Sequence, residues 1–77
     1  MKFQIPEDRL NQLNKDEVIE MAMHAFQWKE LKCLSWYKLQ TPHLGGNSPM
    51  ELVQRGATAR IVEYLNQKAQ ERKGQEF

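Results

Sequence analysis

Three side chains have the right types for chemistry: His24, Cys33 and His43. Imidazoles and a thiolate can hold zinc, and a Cys–His pair can form a nucleophile. The spacing argues against both. It matches no zinc pattern, and a closed structural site needs about four ligands, of which one is missing. A nucleophile also needs a cleft and a third group to orient its base, and a 77-residue chain has little room for them. The reading is therefore a solvated His24, a packed Cys33 and a loop His43. No catalytic residue, metal site or cofactor is expected, so what the chain does must come from what it binds.

Two other patterns carry weaker chemistry. Gly45-Gly46-Asn47-Ser48 precedes a helix start and could bind an anion through backbone N–H groups. A phosphate loop would need a preceding strand and a Lys after the glycines, and neither is present. The glycines read better as positive-φ residues in a tight reversal. Trp28, Trp36, Tyr37, Tyr64 and three Phe could form a stacking platform for single-stranded nucleic acid. That would require basic residues on one face. Lys29, Lys32 and Lys38 are scattered round the helical wheel, so core aromatics are the better reading.

Composition narrows the classes further. Eleven basic and ten acidic residues give a net charge of +1, with no Lys/Arg block, so the footprint of a nucleic-acid binder is missing. One cysteine allows no internal disulfide and fits a reducing compartment. The segment MKFQIPEDRL has no apolar leader, and no run approaches the ~18 apolar residues of a membrane span. A soluble, cytoplasmic, single-domain protein with no membrane partner is expected. A chain this short buries only about 60–65% of its unfolded surface, so its stability is marginal or shared with a partner.

The elements that position these residues read as helices. β-branched residues are few and never alternate, which argues against strands. Pro6 opens a short turn carrying Leu10 and Leu13. Asn14 suits an N-cap for a helix over residues 15–26, with Asp16 and Glu17 in its first turn. Val18, Ile19, Ala22, Met23, Ala25 and Phe26 form its apolar arc, and Asp16, Glu20 and His24 the opposite face. Residues 28–40 are apolar all round the wheel, so that helix is either central or covered by another chain. Pro42 ends it. A short helix runs from residue 49 to 55, closed by Gly56, and a last one from about 57 to 72. The polar tail at 73–77 is expected to fray. The fold class is all-α, a small bundle of four to five short helices.

The most specified stretch is WYKLQTPHLGGNSPMELVQRGATARIVEYL, residues 36–65. Ser48 suits an N-cap, Pro49 the first helical position, and Glu51 completes a capping box. A rigidly specified shape without chemistry points to a binding surface.

This stretch resembles the toxin-binding domain of Xre/MbcA/ParS-type antitoxins. That family's core reads roughly W-L-x-T-P-N-x-x-L-G-G-x-[ST]-P-L-E-L-L. Trp36, Thr41, Pro42, Leu44, Gly45, Gly46, Ser48, Pro49, Glu51 and Leu52 fall on the pattern, with Met50 and Val53 as conservative replacements. The likeness spans residues 28–66. The chain departs from it in a shorter loop between Pro42 and Leu44 and in a glycine, Gly56, that comes about two positions early. About 27 residues precede Trp28, too few for the family's helix-turn-helix domain, so the resemblance implies toxin binding without DNA binding. The usual partner in the family is a RES-domain toxin that consumes NAD, and the antitoxin covers its active site.

The expected partner-binding residues are Trp36, Leu39, Thr41, Pro42, His43, Leu44, Gly45, Gly46, Asn47 and Pro49. Trp36, Leu44 and Pro49 are expected to shape the turn, and Leu39, His43 and Asn47 to touch the partner. Two alternatives stay open: a small adaptor or phage-type regulator on an unrelated protein, and a nucleic-acid-associated regulator. A homodimer is also left open.

Overall fold

A computed structural model describes residues 5–74, with side chains through residue 71. It is all-helical, with no strand among the described residues. Four α-helices follow one another: α1 (Lys15–Phe26), α2 (Glu30–Tyr37), α3 (Pro49–Arg55) and α4 (Ala59–Gly74). One-turn 3₁₀ segments lie at Glu7–Arg9 and Pro42–Leu44.

The helix starts follow their sequence signals. Asn14 accepts the N–H of Glu17 at 2.9 Å, and the Glu17 carboxylate accepts the N–H of Asn14 at 3.2 Å. The expected cap is therefore a full capping box. Ser48 and Glu51 form the same reciprocal pair at α3. Gly56 takes the left-handed conformation after α3, and the N–H of Ala57 reaches the carbonyl of Leu52 at 2.9 Å, closing a Schellman turn.

Two boundaries differ from the sequence reading. The second helix covers Glu30–Tyr37 rather than residues 28–40. Gln27 stops α1 with a φ of 58°, and its side-chain amide donates to the carbonyl of His24 at 3.1 Å. The chain reverses there, so Trp28 and Lys29 cannot be helical. At the other end the helix tightens at Lys38 and Leu39, and Thr41 is extended as a residue before proline should be. The last helix starts at Ala59, not 57, because Ala57 spends its N–H on the end of α3. Its far end runs through Gly74, so Lys73 and Gly74 belong to the helix. The rest of the expected tail lies outside the described residues.

The core draws on every helix. Val18, Ala22, Cys33, Leu44, Ile61 and Leu65 are fully buried, with Met21, Trp36, Tyr37, Leu52 and Val62 close behind. Met21 was not on the expected apolar arc. α1 packs most extensively on α4 and next on α2. Thr58 ties the N-terminal turn to this core. Its hydroxyl donates to the carbonyl of Leu10 and accepts the N–H of Leu13, while Asn11 accepts the N–H of Ala59.

Aromatic rings form a second network. Phe26 stacks on Trp28 at 4.3 Å, meets Trp36 edge-on at 5.5 Å and approaches Tyr64 at 6.2 Å. Trp36 is buried among these rings, and Phe26, Trp28 and Tyr64 are half-buried. Phe3 and Phe77 lie outside the described residues. One part of α2 is central, through Cys33, Trp36 and Tyr37. Its other side leaves Leu31 79% exposed, and Leu39 just beyond the helix is 61% exposed.

Candidate binding surface at the turn between α2 and α3

The segment from Thr41 to Asn47 is closed on itself by backbone hydrogen bonds. The N–H of Thr41 donates to Asn47 at 3.1 Å, and the carbonyl of Thr41 accepts the N–H of Gly46 at 2.9 Å. Gly45 donates to Pro42 at 3.1 Å and Leu44 to Thr41 at 3.1 Å. Gly45 and Gly46 have φ of 69° and 81°, a conformation that costs a residue bearing Cβ about 1–2 kcal/mol.

This closure divides the expected partner-binding residues. Trp36, Thr41, Leu44 and Pro49 are buried and hold the turn on the bundle. Leu39, Pro42, His43, Gly45 and Gly46 face outward. Asn47, expected to touch the partner, also serves the turn itself. It is half-buried, its amide donates to the carbonyl of Leu44 at 3.1 Å, and its side-chain oxygen accepts from Arg55 at 3.2 Å. It braces the turn against α3.

His43 is exposed but not isolated. Its ring stacks on Tyr64 of α4 at 5.2 Å, and together with Arg60, Glu63 and Gln67 the two residues line an open pocket of about 240 Å³. The sequence reading places these residues on the last helix without assigning them to a site. Nothing in the local pattern joins them to His43, since the pocket exists only once the turn folds onto α4. Arg60 lies over Gly45, where a Cβ would sit 2.7 Å from its Nη1.

No protein-family model, curated protein or solved structure matches this chain.

The three residues first considered for chemistry have separate surroundings. His24 is exposed on α1, Cys33 is buried, and His43 lies on Tyr64. Among the described residues no cluster of His, Cys, Asp and Glu could hold a metal ion. Burial pushes the Cys33 thiol up, which suppresses thiolate, with Lys32 opposing weakly. Beside the turn, the Ser48 backbone N–H, then the Gln40 amide, hold the Glu51 carboxyl below its usual value. Among the described residues, two buried side-chain polar atoms have no hydrogen-bond partner: Trp36 Nε1 in α2 and Thr41 Oγ1 at the turn. No described helix is long and apolar enough to cross a membrane.

Proposed function

We propose that the chain is a non-catalytic protein-binding module acting as an antitoxin-like, stoichiometric inhibitor of a cytoplasmic toxin, of the NAD-consuming RES-domain class. The observation that carries this reading is the closed turn at Thr41–Asn47. It presents Pro42, His43 and two glycine backbones outward on a rigid turn, with the exposed Leu39 two residues before it. A turn held by its own hydrogen bonds loses little conformational entropy on docking, so more of the contact energy appears as affinity. Leu39 supplies an apolar anchor of the kind interfaces bury at their centre. The inhibitor covers the toxin's active site, and the reaction belongs to the toxin.

The test is co-purification and NAD measurement with a RES-domain toxin encoded beside this chain. A 1:1 or symmetric complex and preserved NAD are expected. Leu39→Asp and Gly46→Val should release the toxin and restore NAD loss. Absence of any complex, with NAD consumption unchanged, would overturn the proposal. Binding to nucleic acid that weakens steeply with salt would replace it with a regulator of that class.

A further inference from the structure

We propose that the pocket between the Pro42–Leu44 turn and α4 receives a carboxylate, carried on an acidic side chain of the partner protein. The identity of the carrier rests on the binding role just proposed. The pocket chemistry does not.

Arg60 is the centre of the argument. Among the described residues its guanidinium has no hydrogen bond and no ion pair, unlike Arg9 on Glu17 and Arg55 beside Glu51. Glu63, one turn along α4, lines the same pocket without closing on it. Arg60 instead lies over Gly45, in space that any other residue at position 45 would fill. A guanidinium held open in this way presents a planar fork of donors, the shape that takes a carboxylate through two parallel hydrogen bonds. The His43 ring lines the same pocket, and an imidazole carries at least one N–H to donate.

The opposite polarity fits less well. A partner arginine would pair with Glu63 and need a free aromatic face. His43 and the Lys68 ammonium, 5.7 Å from the ring centroid, already lie over Tyr64. Lys68 is itself paired with Glu71 at 3.3 Å. An entering cation would meet the unpaired Arg60 as a like charge. An entering carboxylate meets it as a partner, with Glu63 the one like charge in the pocket lining.

The probe is N-acetylglutamate N-methylamide, titrated into the full chain while NMR follows the Arg60 Nε–H and the His43 and Tyr64 ring signals. These signals should move together and saturate, and the matching glutamine compound should leave them in place. Arg60→Gln should abolish the response, Gly45→Ala should weaken it by displacing the guanidinium, and Lys38→Gln should leave it intact. Equal shifts with the neutral compound, or a normal titration by Arg60→Gln, would overturn the proposal. Acetate or succinate binding about tenfold tighter would make the ligand a free acid and overturn the side-chain assignment. If a toxin complex is isolated, Arg60→Gln should weaken it about tenfold, or about 1.4 kcal/mol. Failure of the toxin to bind leaves the titration standing. Failure of the titration with an intact toxin complex sinks this inference alone.

Discussion

The imidazole of His43 lies on the ring of Tyr64, with centroids 5.2 Å apart and planes inclined by 22°. Tyr64 in turn faces Phe26, which touches Trp28 and Trp36. The outward turn is thus joined by a relay of rings to the junction of α1, α2 and α4. The first two rings of the relay differ in burial, His43 being exposed and Tyr64 half-buried, so truncating them should have different consequences.

Tyr64→Ala removes a half-buried ring that touches both the core and His43. It should cost roughly 2–3 kcal/mol, somewhat below the range for a fully buried aromatic. His43→Ala removes one exposed stacking partner, worth about 0.5–1.5 kcal/mol. In a domain of this size about 1 kcal/mol moves Tm by about 4–8 °C. Melting curves should therefore separate the two variants clearly, while both weaken partner binding. Equal Tm losses would mean that His43 is part of the core rather than of the surface.

The local elements were legible in the sequence because their causes are local. Asn14, Ser48, Pro49 and Gly56 each act within a few residues, and each helix end they specify is where they place it. The boundary at Gln27 was not legible, because a glutamine in the left-handed region carries no compositional signal. Thr58 was read as a helix residue, although its hydroxyl serves Leu10 and Leu13, more than forty positions away. The same holds at the binding surface. The turn itself was legible from its glycines and cap. The pocket it shares with Arg60 and Tyr64 depends on how the turn packs against α4.

Two buried threonines should respond oppositely to valine. Thr58 is fully buried, and its hydroxyl satisfies a donor and an acceptor. Thr58→Val strands the Leu13 N–H and should cost about 1–3 kcal/mol. Thr41 is 9% exposed and its hydroxyl has no partner. Thr41→Val removes an unsatisfied polar atom at nearly constant volume, so Tm should hold or rise. A fall for Thr41→Val as large as that for Thr58→Val would show that the Thr41 hydroxyl is bonded in solution.

The turn contributes a third contrast, between a side chain that braces it and a backbone that shapes it. Asn47→Ala loses the bonds to Leu44 and Arg55 and should cost about 1 kcal/mol. Gly46→Ala finds open space around its new methyl but keeps a φ of 81°, so its cost is conformational, about 1 kcal/mol. Asn tolerates that region better than Ala. Gly46→Asn should therefore melt above Gly46→Ala, and chemical denaturation can rank the three variants. If Gly46→Ala is the more stable of the pair, backbone conformation is not what the glycine supplies.

The pH dependence of stability offers a test at the start of α3. The Glu51 carboxylate accepts from the Ser48 N–H at 3.1 Å, from its hydroxyl at 3.2 Å and from the Gln40 amide at 3.4 Å. These donors favour the ionised form, so the folded-state pKa lies below that of the unfolded chain. A group shifted down in this way stabilises fully above the unfolded value, near about 4.3 for glutamate. Its contribution is lost as the pH falls through the folded value, because the folded state must then take up a proton it resists. Glu51→Gln removes the charge and leaves the cap geometry available, since glutamine also serves at this position of a capping box. The stability difference between wild type and Glu51→Gln should be largest near neutral pH and shrink as the pH drops below about 4. Other carboxylates titrate in both proteins and cancel in the difference. Urea denaturation of both across acid pH is the measurement. A difference that stays constant through that range would mean that the Glu51 charge does not stabilise the start of α3.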